Sequence, residues 1–320
     1  MAGRTHWAQL VERGSLWGLR FSALVFRWCG RRGCLVMLVP VVLYFYLSGR
    51  TQRAASRNYL SRVLGRRAGW GDGFRHFMDF AERALDTLAA WLGTIPADAV
   101  DLSEAGLLDH IATEPRGGLL VVSHHGNAEL VRALVKTELR DRLSVLVHTR
   151  HAENYNRILR EFRPEAAARL IQVTDIGPDT AIHLKACVER GEWVAIAGDR
   201  VPVLSRDRSR DNRVSRVPFL GAPAAFSHGP WVLAAVLDCP VYLLFCRRTG
   251  SGRWQVSFER FAERIVLPRG DRAGALVAYI GRYAERLAAE CRAAPWQWYN
   301  FFDFWRDAEE MDVKKTEPAP

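Results

Sequence analysis

The chain has 320 residues, 49% of them hydrophobic and 25% charged, which excludes disordered and low-complexity architectures. That length supports one large domain or two small ones with a buried core. Six cysteines (Cys29, Cys34, Cys187, Cys239, Cys246, Cys291) include no Cys-x-x-Cys pair. Neither a zinc site nor a disulfide framework is therefore written in the chain, and reduced, mostly buried thiols are expected.

Positive charge is concentrated at one end. Residues 1–67 hold twelve arginines against a single acid, Glu12, while the remainder is close to neutral. A basic segment on a neutral body points to an anionic partner surface, either nucleic acid or membrane. Between Arg32 and Arg50 lie seventeen uncharged residues, Gly33 to Gly49, dominated by Leu, Val, Tyr and Phe. As a helix this run reaches about 25 Å, short of the roughly 30 Å hydrocarbon core of a bilayer. Just before it, Arg20 and Arg27 share one helical face while Trp17, Phe21, Leu24 and Phe26 cover the rest, as in a helix lying in the interface. The apolar run starts late and no small-residue cleavage site follows it, which argues against a secretory signal. A soluble basic bundle is the competing reading, and phosphate contact has no use for a run this apolar. A membrane anchor over residues 14–49, bent at Pro40 and resting on arginine-rich shoulders, is expected.

Downstream, residues 50–66 and 73–92 are expected to be helical, with Phe74, Phe77, Phe80, Ala81, Leu85, Leu88 and Leu92 in helical period. From about residue 117 short apolar runs alternate with amphipathic stretches. Strands are expected at Leu119–Val122, Ser144–Val147, Leu170–Val173, Val194–Ala197 and Val241–Cys246. Helices are expected at 127–138, 153–163, 179–190, 224–237 and 273–291. The alternation predicts an α/β fold with a mostly parallel sheet flanked by helices. Three regions follow: membrane-anchor helices over 1–67, an α/β domain over 68–305, and a charged, disordered tail over 306–320.

Chemistry concentrates at Ser123-His124-His125-Gly126-Asn127-Ala128-Glu129, directly after the first of these strands and opening a helical stretch. In open α/β sheets, ligands gather outside the carboxyl ends of strands. A histidine beside a helix N-terminus is held toward its neutral, basic form. A carboxylate one turn into the helix is placed to orient the imidazole, as in a dyad. Two His-x4-acid spacings occur, His124/Glu129 and His148/Glu153, and only the first stands at a strand-to-helix junction.

That heptapeptide resembles the catalytic His-x4-Glu block of the bacterial lipid A late acyltransferases, within the lysophospholipid acyltransferase superfamily. Val147-His148-Thr149-Arg150 with Asn154-Tyr155-Asn156-Arg157 is similar to the second block of that family, and Ala197-Gly198-Asp199-Arg200 to the third. Val217-Pro218-Phe219-Leu220-Gly221-Ala222-Pro223-Ala224 and the aromatic stretch Pro295–Trp305 resemble two further segments in the same order. The resemblance implies a glycerolipid acyltransferase-like fold. It implies His124 as general base oriented by Glu129, and Arg150 steadying an oxyanion or an acceptor phosphate. It also implies substrate binding by Asn127, Arg150, Asn156, Arg157, Asp199 and Arg200. Arg200 departs from the family, where a neutral polar residue is expected, as does Ala128, where an aromatic is common. His125 and His151 are expected to be structural or to stand behind the reacting groups, and the aromatic block to be core or interface packing.

The expected activity is membrane-bound O-acyl transfer from a thioester to a hydroxyl of a lipid or glycolipid, without a covalent enzyme intermediate. The resemblance implies acyl carrier protein as donor, and the arginine-rich stretch 206–216 suits an acidic partner. No metal or cofactor is expected, nor a nucleic-acid partner, and the expected location is the cytoplasmic face of a bacterial inner membrane. A lipid hydrolase needs a nucleophile elbow, and the chain contains no Gly-x-Ser-x-Gly. A nucleotide-dependent transferase needs a glycine-rich phosphate loop, and none is present. A non-catalytic lipid-binding protein on the same fold is the remaining alternative.

Overall fold

The computed structural model describes residues 16–102, 116–134, 142–147, 169–172, 177–201, 213–250 and 252–305. Three helices come first: α1 (Leu16–Ser48), α2 (Arg50–Leu64) and α3 (Trp70–Trp91). Then follow β1 (Val100–Asp101), β2 (Leu119–Val122), α4 (Ala128–Leu134), β3 (Leu143–Val147) and β4 (Arg169–Gln172). Next come α5 (Pro178–Glu189), β5 (Trp193–Ala197), β6 (Val214–Phe219), β7 (Ala222–Ser227) and α6 (Gly229–Leu237). The chain continues through β8 (Val241–Gly250), β9 (Arg253–Ala262) and α7 (Arg272–Ala293).

Seven strands form one sheet in the order β1-β9-β8-β2-β5-β3-β4. Every neighbouring pair is parallel except the hairpin β8/β9. The five strands expected from the sequence are all in this sheet. They were legible because alternate residues of one strand enter two different cores, which turns a buried parallel strand into an unbroken apolar run. Leu119, Val121, Val194, Ile196, Val241 and Leu243 pack with Tyr59, Leu60, Trp231, Ile280 and Leu287. Leu120, Ala195, Tyr242 and Leu244 pack with Ala90, Trp91 and Leu130. Helices α2, α6 and α7 thus cover one face, and α3 and α4 the other. Along α7 the buried residues Leu276, Ile280, Tyr283, Leu287 and Cys291 recur every three or four positions, and Asp271 caps its first turn through Gly274 N–H at 3.0 Å.

Three expectations are corrected. The helix expected at 224–237 begins only at Gly229, because residues 222–227 pair with β6 as an antiparallel hairpin. Its two-residue turn places Leu220 (φ 48°) and Gly221 (φ 84°) both in the left-handed region, the conformation that matches strand twist. Second, β9 and the β6/β7 hairpin were not anticipated, since their burial alternates with polar positions. Third, α1 breaks at Gly30 (φ 63°, ψ −174°), whereas Pro40 is accommodated inside the helix. Glycine supplies the left-handed φ that ends one helical segment and starts the next. The helix expected at 153–163 lies outside the described residues.

After that break, α1 runs along α3. Cys34 packs against Leu85 and Ala89, with Leu35 and Leu38 beside them. Arg31 donates to Asp86 at 3.0 Å and to Glu82 at 3.1 Å. Tyr46, fully buried, meets Trp70, Phe74 and Phe77 edge-on. The opposite side is uncovered: Val36, Met37, Val39, Val41, Tyr44 and Leu47 are exposed. Among the described residues, Gly30–Ser48 is the helical stretch long and apolar enough, by length and composition, to cross a membrane.

The second helix is tied to the rest by a buried histidine. His76 of α3 donates from Nε2 to the Trp298 carbonyl at 2.9 Å, so its Nδ1 accepts from Ser56 of α2, also at 2.9 Å. Burial lowers its pKa to about 4, so it is neutral in the folded protein at physiological pH. The unfolded chain takes up this proton first as pH falls through about 6.5, and folding stability is lost from there down to about 4. The loss approaches about 1.4 kcal/mol per pH unit for one such group. Thermal unfolding between pH 7 and 5 should show this as a falling midpoint, and the fall should be smaller in His76→Gln. An equal slope in both proteins would contradict the assignment.

Candidate active site

Residues 123–127 leave the carboxyl end of β2 and are clamped by three different parts of the fold. Gly126 N–H donates to the Gln297 carbonyl at 2.8 Å, and Asn127 N–H to the Cys246 carbonyl of β8 at 2.7 Å. Tyr299 N–H donates to the His124 carbonyl at 3.1 Å, and Arg83 of α3 donates to the Gly126 carbonyl at 3.0 Å. Gly126 is required here: its φ is 68°, and a Cβ would lie 2.0 Å from the Cys246 carbonyl oxygen.

His124 projects from this loop with 42% of its side chain accessible. Its Nδ1 lies 2.8 Å from Asp199 Oδ1, and its backbone N–H donates to Asp199 Oδ2 at 2.9 Å. Asp199 stands just past the carboxyl end of β5, the strand paired with β2. It is completely buried, and Trp298 Nε1 donates to its Oδ2 at 2.8 Å. Arg200 adds an ion pair at 3.3 Å and also donates to the Tyr299 carbonyl at 3.2 Å. Burial alone would raise the Asp199 pKa. The charges of His124 and Arg200, with the hydrogen bonds from His124 and Trp298, hold it well below the usual carboxylate range. An ionised Asp199 fixes the proton of His124 on Nδ1 and leaves the Nε2 lone pair as the basic site on the accessible ring. Desolvation and the Arg200 guanidinium lower the His124 pKa against the pull of Asp199, so the ring is neutral at physiological pH.

The approach of these strands depends on Gly198, where a Cβ would lie 2.7 Å from the Tyr283 ring and 2.8 Å from Val121. Ser123 Oγ accepts from His125 N–H at 3.2 Å, and among the described residues no hydrogen bond joins it to the His124 ring. His125 is buried, donates from Nε2 to the Ala294 carbonyl at 3.3 Å, and has a pKa lowered by burial to about 4, in keeping with its expected structural place. Among the described residues, no group of three His, Cys, Asp or Glu side chains is placed to hold a metal ion.

The structure redistributes the residues singled out in the sequence. The carboxylate on the His124 imidazole is that of Asp199, not of Glu129. Glu129 is in the first turn of α4, but its carboxylate is held by Arg132 at 2.8 Å, one turn along the same helix. Asn127 is buried: its Oδ1 accepts from Leu130 N–H at 3.2 Å and from Thr87 at 3.1 Å. It therefore caps α4 from the protein interior. Arg200 is buried as well and works from behind Asp199. Arg150, His151, Asn156, Arg157, and residues 206–212 of the arginine-rich stretch lie outside the described residues. Trp298 was read as packing; it is packed, fully buried against Phe219 and Phe304, and it also holds the aspartate. Nothing in its local sequence announces that bond, because the two residues are 99 positions apart.

A partly accessible histidine bonded to a buried aspartate, at the carboxyl edge of a mostly parallel sheet, is an arrangement suited to acid–base chemistry in an α/β protein. The family model for bacterial lipid A biosynthesis acyltransferases matches residues 79–307, and the chain belongs to that family. Membership makes it an acyltransferase acting on lipid. No curated protein matches the sequence significantly.

The loop clamp yields a direct test. Gly126→Ala forces a Cβ into the β8 backbone and tilts His124 away from Asp199, so activity should fall by about two orders of magnitude, as misplacement near 1 Å does. Steady-state rates of the variant against the parent measure this, and unchanged rates would show that the clamp does not position the base.

Proposed function

We propose that the protein is a membrane-associated O-acyltransferase that moves a fatty acyl chain from an acyl carrier protein thioester to a hydroxyl of a lipid or glycolipid. The reading is carried by His124, whose Nδ1 is engaged by Asp199 at 2.8 Å while its ring stays accessible, in a chain of the lipid A acyltransferase family. The acceptor hydroxyl gives its proton to His124 Nε2 as its oxygen attacks the thioester carbonyl. The tetrahedral adduct collapses, the carbon–sulfur bond breaks, and the leaving sulfur takes the proton back from the imidazolium. Asp199 stabilises the transient positive charge without itself becoming protonated. Arg150, Asn156 and Arg157 are assigned to the oxyanion and the acceptor, and Glu129 pairs with Arg132 one turn along α4.

The proposed organisation keeps residues 1–67 as the membrane-facing region, 68–305 as the catalytic body and 306–320 as a tail. The site of action is the cytoplasmic face of a bacterial inner membrane. The exposed apolar side of α1 and the arginines around it support membrane association.

Membranes holding the full-length protein, incubated with labelled acyl carrier protein and lipid, should yield one labelled product identifiable by mass spectrometry. His124→Ala should lower turnover by about 10²–10⁴-fold while the protein stays folded and membrane-bound. Near-normal turnover would sink the assignment.

The two carboxylates are separated by a second comparison. Asp199→Asn removes the group that fixes the tautomer and should cost more than Glu129→Gln. The rate should rise with pH through an apparent pKa below 6.5, since only neutral His124 is a base and its pKa is lowered. A larger loss in Glu129→Gln than in Asp199→Asn would return the orienting role to Glu129.

A further inference from the structure

Beside the C-terminal end of α1, the α2 helix and the start of α3 enclose a groove of about 500 Å³. Its walls carry two guanidinium groups, Arg57 and Arg67, together with the amide of Asn58, the hydroxyl of Ser61 and the Trp70 ring. No acidic side chain lines it. The nearest acid along the chain, Asp72, is already taken by Arg66 through two bonds of 2.7 and 2.9 Å and by Gly69 N–H at 2.8 Å. Arg57 and Arg67 are both exposed, and among the described residues neither guanidinium meets a carboxylate. Ser61 Oγ accepts from Ala68 N–H at 2.9 Å, which leaves its own proton to donate.

Two unneutralised guanidinium groups and a hydroxyl donor lining one groove suit the oxygens of a phosphate, which arginine engages in paired hydrogen bonds. The surroundings say where such a phosphate comes from. Trp70 is 51% exposed, stacks on Phe74 and meets Tyr46 of α1, and Tyr46 Oη donates to the Trp70 carbonyl at 3.0 Å. Tyr44 and Leu47, two residues before and one residue after Tyr46 in α1, are exposed. An amphipathic ring at the junction of an uncovered apolar helix and a basic groove is the arrangement of the membrane–water interface, where headgroup phosphates lie. We infer that the Arg57/Arg67 groove is a binding site for the phosphate of an anionic phospholipid headgroup, which holds the protein at a fixed height on the bilayer. The inference rests on the membrane association proposed above, with α1 supplying apolar attachment and the groove supplying headgroup selectivity.

Co-sedimentation of the purified full-length protein separates the two contributions. The probes are vesicles of phosphatidylcholine alone and vesicles of phosphatidylcholine with phosphatidylglycerol. The parent protein should bind both and prefer the anionic ones. The double variant R57Q/R67Q should bind neutral vesicles as the parent does and lose about tenfold of the anionic preference. The variant R264Q/R269Q, with the same charge change on exposed residues between β9 and α7, should retain it. Equal losses in the two variants would reduce the effect to net charge, and an undiminished preference in R57Q/R67Q would likewise overturn the site. Binding to neither kind of vesicle would instead refute membrane association itself. In a separate arm without vesicles, inorganic phosphate at constant ionic strength should not raise the unfolding midpoint of the parent above that of R57Q/R67Q. If it does so while vesicle binding is the same for both proteins, the groove takes a soluble phosphate and the lipid assignment is wrong.

Discussion

Burying one carboxylate organises this molecule. An ion moved out of water loses several kcal/mol of hydration after relaxation, so Asp199 is tolerable at full burial only because donors surround it. Two come from His124, one from Trp298 and one from Arg200, and they arrive from the loop after β2, the end of the chain and the neighbouring residue. Each partner also has a second tie. Arg200 reaches the Tyr299 carbonyl, Tyr299 N–H reaches the His124 carbonyl, and Gly198 admits the approach of Tyr283. The geometry around His124 is therefore a by-product of neutralising a charge, which makes the position of His124 as stiff as the ion pairs behind it.

A second polar network transmits position from the N-terminal helix to the same place. Arg248 of β8 lies among Asp79, Glu82 and Asp86 on α3, and Arg31 of α1 binds the last two from the other side. Burial pushes the carboxyls of Asp79 and Asp86 upward even against the pull of those arginines. Tyr299 donates to Asp79 at 2.9 Å and thereby links the network to the residue that brackets His124 and Arg200. Helix α3 is in this sense a beam: one side carries α1, the other the loop that holds His124.

What the sequence disclosed follows the range of the forces involved. The central strands and α7 were legible because burial writes a period into neighbouring residues, and His124 because a glycine and a helix cap follow it at once. The choice of Asp199 over Glu129 as the partner of the imidazole was not legible. Glu129 is close in sequence, but Arg132, one turn along, is closer still to its carboxylate. Asp199 is 75 positions away and is delivered by the pairing of β2 with β5. The hairpin of β6 and β7 was missed for the opposite reason: Leu220 occupies a left-handed conformation that its residue type disfavours, so the turn carries only half of its usual signature.

The placement of Trp298 bears on the order of events during synthesis. Chain order puts α1 ahead of His124 and Asp199, and the aromatic segment that seats the aspartate after both. Until residues 294–300 dock, the Asp199 carboxylate lacks its indole donor and the loop lacks the Gln297 and Tyr299 clamps. A chain that stops short of residue 294 thus never completes the shell of donors around His124 and Asp199.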